Sequence, residues 1–167
     1  MSEPAKPVYL VDTAADPVVV RVEGRACFQN SAGLRDFFAT MLAHDQRSFV
    51  LHLGQCTGMD STFLGVLAGA ALELRRLVPA GSFVVRGAGP RNLELLQNLG
   101  LHRLLTVEAG DSPAGNCSPL GSTAGKDELA NARLALEAHQ NLVACDAANR
   151  ARFEDVLTFL QKRVEKG

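Results

Sequence analysis

The stretch from Met59 to Leu67 carries side chains whose types and spacing suit a specific chemistry. It reads Met-Asp-Ser-Thr-Phe-Leu-Gly-Val-Leu and follows an alternating apolar run that predicts a strand. Asp60 and Ser61 are residue types that commonly cap helix N-termini, so capping by itself explains their position. A phosphate group on Ser61 would also face the backbone N–H groups and the positive dipole end of the helix that follows. Capping and phosphorylation are compatible interpretations of the same residues.

Two glycine-containing segments are weaker candidates for binding a phosphate or a nucleotide. Gly121–Lys126 is one residue short of a phosphate-binding loop, and Asp127 stands where such a loop carries a metal-binding Ser or Thr. Gly87–Asn92 lies between a predicted strand and a predicted helix, but it lacks the last glycine of a dinucleotide-binding turn. We interpret the first segment as linker and the second as a turn, with small-ligand binding at Gly87–Asn92 kept as an alternative.

The cysteines and histidines do not match a metal or catalytic motif. The four cysteines are widely spaced and have no C-x-x-C pair: Cys27, Cys56, Cys117 and Cys145. The four histidines are scattered: His44, His52, His102 and His139. The chain also lacks a G-x-S-x-G nucleophile elbow. We therefore expect no metal, no cofactor and no enzymatic activity, and reduced, mostly buried thiols.

Composition and charge narrow the class of protein further. The chain has 17 basic and 18 acidic residues, which gives no broad attraction to nucleic acid or to an anionic membrane. The longest apolar run, Phe63–Leu72, is about half of the length that a membrane-spanning helix needs. The N-terminal residues lack the apolar core of a signal peptide. These features predict a cytoplasmic protein without a membrane span.

The elements that position Ser61 follow from hydrophobic periodicity. The predicted strands are Val8–Val11, Val18–Val22, Phe49–Leu53, Ser82–Arg86 and Leu104–Val107. Asn30 or Ser31 can cap the first predicted helix. The second runs from about Thr62 to Leu77, and the third begins at Pro90 and ends before Gly100. This ββαβαβαβ order predicts an α/β domain with a mixed sheet and helices mainly on one face. The other face carries a mixed set that can stand in water: Val19, Arg21, Glu23 and His52.

The C-terminal third of the chain has a different pattern. Residues 109–125 are rich in Gly, Pro and Ser without periodicity, which predicts a linker between a 1–108 domain and a 126–167 helical extension. The extension has an amphipathic stripe: Leu129, Leu136, Val143, Phe153, Leu157 and Leu160. We expect a hairpin or one kinked helix, with Asp146 able to cap a second helix. A hairpin packed on itself or on its own domain is favoured over a homodimer or a different partner.

Three segments together resemble one known family. Val18–Gly24, Phe49–Gly54 and above all Met59–Leu67 resemble the STAS domain of anti-sigma factor antagonists, whose motif reads hydrophobic-Asp-Ser-Ser/Thr-Gly-Leu-Gly-hydrophobic-Leu. The resemblance continues through Phe83–Arg86 and Asn92–Leu104 and covers about residues 8–108.

This resemblance implies a bacterial regulator that switches partners and catalyses nothing itself. It would bind an anti-sigma factor that is also a serine kinase with an ATP-binding domain, be phosphorylated on Ser61, and be reset by a phosphatase. Thr62 is a lesser candidate acceptor. Asp60 would cap the helix and orient Ser61, and Met59 and Phe63 would contact the partner.

Two residues depart from the family pattern. Phe63 stands where the family usually has Gly, and His52 where it often has Asp at the end of the strand. We expect the first to alter the partner-facing surface and the second to remove an acidic group near the site. One alternative stays open beside the small-ligand module: a STAS subunit of a lipid-transport or larger signalling assembly, in which the same loop docks a partner without phosphorylation.

Overall fold

The structure, a computed structural model, describes residues 8–110, 116–120 and 127–166 of the chain. Within these ranges the strands are β1 (Tyr9–Asp12), β2 (Val18–Ala26), β3 (Ser48–Met59), β4 (Ser82–Arg86), β5 (Thr106–Glu108) and β6 (Ser118–Pro119). The helices are α1 (Ser31–Ala43), α2 (Ser61–Arg76), α3 (Pro90–Asn98), α4 (Glu128–Cys145) and α5 (Asn149–Lys166). Short 3-10 turns at Phe28–Asn30 and Leu101–Arg103 precede α1 and β5.

The strands form one mixed sheet in the order β5-β4-β3-β2-β1-β6. Strands β2 to β5 are parallel and adjacent in chain order, whereas β1 pairs antiparallel with β2 and with β6. Because every crossover steps in the same direction and such crossovers are right-handed, α1, α2 and α3 lie on one face of the sheet. The predicted α/β class, with a mixed sheet, helices mainly on one face and C-terminal helices, is confirmed.

The core lies between this face and the helices. Side chains alternate along a strand, so Phe49, Leu51 and Leu53 of β3 point the same way, and each is at most 1% exposed. The Phe38 ring of α1 meets the Phe49 ring edge to face, with ring centroids 5.4 Å apart. Helix α2 is buried nearly all round in its first half, as its apolar sequence predicts.

Strand β3 is longer than its apolar alternation indicates. The predicted strand ends at Leu53, but β3 continues through the expected loop to Met59. Strand β2 is extended in parallel to Ala26, and two register shifts let the two strands stay paired up to Ala26 opposite Met59. The glycines and polar residues of this segment interrupt the apolar alternation, so the sequence pattern does not show that the strand continues. Consequently Met59 ends a strand, and Ser61 begins the helix with only Asp60 between them.

Two other local predictions are wrong. Neither Asn30 nor Ser31 caps α1 with its side chain, because Asn30 Oδ1 accepts hydrogen bonds from the Cys27 backbone and from the Tyr9 hydroxyl. The Ser31 hydroxyl instead donates to the Cys27 carbonyl. The last parallel strand begins at Thr106 rather than Leu104, because the Leu104 and Leu105 N–H groups donate to the Leu101 carbonyl of the preceding 3-10 turn.

Some side chains on the second face of the sheet are less exposed than its mixed composition predicts. Val19, Val50 and His52 are buried there, at 5%, 9% and 6% exposure. These residues lie on β2 and β3, which have neighbouring strands on both sides, so adjacent side chains shelter them. Further along β2, Arg21 and Glu23 are more exposed, and they form an ion pair at 3.3 Å.

The segment expected to be linker contributes to the sheet. Ser118 and Pro119 pair with Val11 and Leu10 as strand β6, and the Leu120 N–H donates to the Tyr9 carbonyl at 2.9 Å. The predicted linker therefore contains a short edge strand at Ser118–Pro119. The Gly121–Lys126 segment lies outside the described residues.

Helices α4 and α5, with the turn between them, form the C-terminal hairpin (residues 127–166). Leu134, Ala138 and Leu142 of α4 are buried, four residues apart, so they lie on one helix face. This face packs on α2, and α5 folds back along α4. The hairpin thus packs on its own domain, as favoured from the sequence. None of the helices in the described ranges is both long and apolar enough to span a membrane.

Candidate functional site

Asp60 organises the start of α2. Its Oδ1 accepts a hydrogen bond from the Phe63 N–H at 2.9 Å, which is the N-cap interaction expected for this residue type. Its Oδ2 accepts from the Phe28 N–H at 2.7 Å, and its own N–H donates to the Ala26 carbonyl. One carboxylate therefore fixes the helix start against the turn that follows β2.

Ser61 is the first residue of α2, and its hydroxyl is engaged by the C-terminal hairpin. Ser61 Oγ lies 2.8 Å from His139 Nε2 on α4. His139 Nδ1 lies 2.6 Å from the Ala135 carbonyl, which can only accept, so Nδ1 carries a proton. In the neutral imidazole, Nε2 therefore accepts the hydrogen bond that the Ser61 hydroxyl donates. His139 is 4% exposed, and its ring meets the edge of Phe153 on α5.

The neighbours of Ser61 differ in accessibility. Met59 is half-buried, whereas Thr62 is buried and Phe63 is fully buried. Phe63 stacks on Tyr9 with ring centroids 6.2 Å apart, so its expected role at the partner-facing surface is wrong: the large side chain fills the core instead. Burial likewise removes Thr62 from the accessible hydroxyls.

An exposed aromatic side chain lies next to this site. Phe28 is 46% exposed, and its backbone is bonded to Asp60. Neither Phe28 nor His139 was assigned to the site from sequence, because Phe28 lies outside the motif and His139 is a lone histidine in a distant helix. The strand order did contain a signal for Phe28. The turns that follow neighbouring parallel strands lie at the same edge of the sheet, so the turn after β2 lies next to the turn that carries Asp60.

Helices α2 and α4 touch at their backbones near the site. A Cβ atom built on Gly65 would overlap the Ala138 carbonyl oxygen, so only glycine fits there. The Asn141 side-chain amide donates to the Gly65 carbonyl at 3.2 Å. Gly69, one turn further on, faces the end of the Asn141 side chain. Helix α4 packs closely on α2 because these two positions carry no side chain.

Burial also changes the acidity of groups around the site. Tyr9 donates to Asn30 Oδ1 at 2.7 Å, and burial raises the pKa of its hydroxyl strongly. Burial likewise raises the pKa of the Cys56 and Cys145 thiols, which makes them poor nucleophiles at neutral pH. None of the four cysteines, all within the described ranges, forms a disulfide, and only Cys27 is buried, so the expectation of mostly buried thiols is wrong.

The Gly87–Asn92 turn has a structural role in this fold. Asn92 is buried, and its amide donates to the Cys56 carbonyl at 3.2 Å, which ties α3 to the end of β3. Gly87 has a φ of +75°, a conformation that favours glycine. Over the described ranges, no three His, Cys, Asp or Glu side chains come together in a way that could hold a metal ion.

The chain belongs to the STAS-domain family. The family model described as "Mlab, STAS domain" matches residues 9–106. The resemblance inferred from the Met59–Leu67 motif is thereby confirmed at the level of the family. The matched region contains Ser61 and ends before the C-terminal hairpin.

Two solved structures share the fold at low sequence identity. One is the anti-sigma factor antagonist SpoIIAA in its unphosphorylated form, with a TM-score of 0.51, 17% identity, and coverage of 63% of this chain and 89% of that chain. The other is the Bacillus cell fate determinant SpoIIAA in the phosphorylated form, with a TM-score of 0.50, 19% identity, and coverage of 60% of this chain and 90% of that chain.

Proposed function

We propose that this protein is a partner-switching regulator of the anti-sigma factor antagonist type, controlled by phosphorylation of Ser61. The observation that carries the proposal is the position of Ser61 as the first residue of α2, directly after the capping Asp60, in a chain of the STAS family. The regulator itself is not an enzyme. Its partner is an anti-sigma factor with an ATP-binding serine-kinase domain, acting in the cytoplasm, and a phosphatase restores the hydroxyl.

The local electrostatics favour a phosphate at this position. The N-terminal end of α2 carries a partial positive charge that stabilises an anion on its first residue. In the transfer step, Ser61 Oγ attacks the γ-phosphorus of ATP, the bond to ADP breaks, and the hydroxyl proton passes to a base of the kinase. The product carries about −1.5 to −2 charges next to Asp60. The surface becomes sharply acidic without disturbing the cap.

The surrounding surface suits a protein partner. Phe28 exposes an aromatic ring, Met59 is half-buried, and Asp60 supplies a carboxylate at the same edge. Aromatic residues and Met are enriched in protein interfaces. A dianionic group introduced among such contacts would leave a desolvated charge without a partner, and this typically costs several kcal/mol. Phosphorylation would therefore end the complex.

The likeness to SpoIIAA supports this proposal. That protein is an anti-sigma factor antagonist solved in unphosphorylated and phosphorylated forms, so one fold accommodates both states. The assignment of Ser61 as the phosphate acceptor rests on its position in the Met59–Leu67 motif.

Mass spectrometry of the protein isolated from its native cells tests the acceptor. We expect phosphate on Ser61, its loss in Ser61→Ala, and unchanged phosphorylation in Ser82→Ala, which alters an exposed serine of β4. Ser61→Ala should keep partner binding, whereas Ser61→Glu should weaken it. Phosphate at another residue of Ser61→Ala, with switching intact, would falsify the assignment.

A second candidate function uses the same surface without phosphorylation. The Ser61 hydroxyl is already bonded to His139, which favours this alternative. The protein would then be a STAS subunit of a lipid-transport or larger signalling assembly. In that case Ser61 carries no phosphate in native cells, and Ser61→Ala co-purifies with the same partners as the wild type.

A further inference from the structure

Helix α4 of the C-terminal hairpin lies against Ser61. The Ser61 hydroxyl donates to His139, which is almost fully buried between α2 and α5. Phosphoryl transfer requires the attacking and leaving oxygens to lie roughly in line with the phosphorus. A kinase must therefore reach Ser61 Oγ with its ATP, and the docked α4 restricts that approach.

Besides α2, the hairpin contacts α1, the residue that follows α3 and the 3-10 turn at Leu101–Arg103. Glu137 of α4 pairs with Arg35 of α1 at 3.0 Å. At the other end, the Asn149 amide donates to the Leu99 carbonyl at 2.9 Å, and Asp146 pairs with Arg103 at 3.5 Å. Both ion pairs are at least partly exposed to solvent and add little stability. Most of the docking energy comes from the buried face of α4, so the hairpin is docked by default.

The hairpin is an addition to the shared fold. The family match ends at residue 106. The match to the unphosphorylated SpoIIAA structure covers 89% of that chain but only 63% of this chain. The part of the chain that is additional thus includes the helix that bonds the site serine. The contact between α2 and α4 is also tightly packed, because there is no room for a side chain at Gly65 against Ala138.

We propose that the C-terminal hairpin is an intramolecular lock on Ser61. In the docked state, His139 holds the hydroxyl and α4 occupies the α2 surface that a kinase needs. Ser61 becomes available when α4 leaves α2, through competition by a partner or another signal. This inference rests on the proposed phosphorylation of Ser61, and its test separates the two.

Gly65→Ala is the variant that releases the lock from the α2 side. The added methyl group would overlap the Ala138 backbone, whereas alanine improves the intrinsic helix propensity of α2. Gly69→Ala is the matched control, because its methyl group meets the movable end of the Asn141 side chain. Ala138→Leu creates the same clash from the α4 side and leaves residues 8–110 unchanged, should Gly65→Ala fold poorly. His139→Ala removes the hydrogen bond itself.

A kinase-independent readout measures access to the site. In a Ser61→Cys background, iodoacetamide labelling of the new thiol is followed by peptide mass spectrometry. We expect Gly65→Ala or Ala138→Leu to raise the labelling rate about tenfold, the size of effect that overpacking of one buried contact brings. Gly69→Ala should raise it much less. Hydrogen exchange of the α4 backbone, measured on the same samples, reports whether the hairpin has left.

A second readout measures Ser61 phosphate in native cells for the same variants with Ser61 retained. The lock is supported if release raises both thiol labelling and phosphate, and if His139→Ala raises phosphate. Faster labelling with no phosphate in any variant supports the covering of Ser61 by the hairpin and overturns the proposed phosphorylation. Unchanged labelling in variants whose α4 amides exchange freely overturns the lock. A fall in phosphate with His139→Ala also overturns it, because His139 would then assist the transfer.

Discussion

Helix α2 is buried on two sides that are built differently. Towards the sheet it meets large, fully buried side chains such as Phe49 and Leu51 of β3. Towards the C-terminal hairpin it meets α4 at Gly65, where the helix backbones are in contact and one methyl group does not fit. Leu134 and Leu142 join the same apolar core from the hairpin side. The sheet side therefore depends on buried volume, whereas the hairpin side depends on close fit, which is easier to disrupt without unfolding the domain.

The largest effect is expected from a matched pair of leucines. Leu51 of β3 and Leu142 of α4 are both 0% exposed. Truncation of a buried leucine to alanine typically costs about 2–5 kcal/mol. Leu51→Ala should lower the free energy of unfolding of the whole protein by this amount, measured by urea denaturation.

Leu142→Ala should instead release the hairpin and leave most of residues 8–110 protected, as measured by hydrogen exchange. If the amides of β3 lose as much protection as those of α4, the two regions unfold as one unit. The predicted division into a 1–108 domain and a 126–167 extension would then be wrong.

A smaller effect is expected from the N-cap of α2. Asp60→Ala removes the acceptor for the backbone N–H groups of Phe63 and Phe28. Loss of an N-cap costs about 0.5–2 kcal/mol, and thermal denaturation should show the decrease. Asp60→Asn keeps one acceptor oxygen and should recover part of the stability. Equal losses in both variants would indicate that the charge, not the hydrogen bonds, holds the turn.

The pH dependence of stability tests the sheet side of the comparison. Burial raises the pKa of Tyr9 above its ordinary value of 10.0, so the folded protein keeps the phenol neutral while the unfolded chain ionises. Stability from this group is complete below about pH 10 and falls above it, by about 1.4 kcal/mol per pH unit.

Tyr9→Phe should show a shallower decline in urea-unfolding stability over the same pH range. The raised pKa values of the partly buried thiols lower the stability with the same sign in both proteins. The difference between the two proteins therefore isolates Tyr9, the only tyrosine in the chain. Identical slopes in the two proteins would contradict burial of Tyr9 in the core.

The smallest effect is expected from the exposed ion pair between the two hairpin helices. Arg163 and Glu128 lie 2.8 Å apart with both side chains more than half exposed. Such pairs contribute about 0–1 kcal/mol. Arg163→Ala should hardly change hydrogen exchange of α4, and Glu128→Ala should match it. A large increase in exchange would show that charge, rather than the fit at Gly65, keeps the hairpin docked.

Much of the fold could be predicted because it follows from local periodicity. Strand β4 was predicted with its observed bounds, and α2 to within a residue at each end. The extension of β3 beyond Leu53 was missed, because pairing with β2 across register shifts, not apolar alternation, defines it. Tertiary pairing of this kind has no signal in the residues themselves.

The site was predictable only where its residues are adjacent in sequence. Asp60 and Ser61 stand in one motif, whereas His139 meets Ser61 through the packing of a distant helix. The amphipathic stripe pointed to Leu136 and Val143, which are only half-buried, while the face on α2 uses Leu134, Ala138 and Leu142. Ala138, which fits closely against Gly65, has a small side chain, so a pattern of large apolar residues does not reveal it.

Strand β6 has a consequence for how strongly a competitor must bind. Ser118–Pro119 fixes the chain to the edge of β1, so only residues 120–127 separate an anchored strand from α4. A short connection of this kind gives an effective concentration in the millimolar range. Redocking is then unimolecular, and the undocked fraction does not change with the amount of protein in the cell. A partner present at about micromolar concentration must bind the α2 surface roughly a thousandfold more tightly than α4 does to displace it.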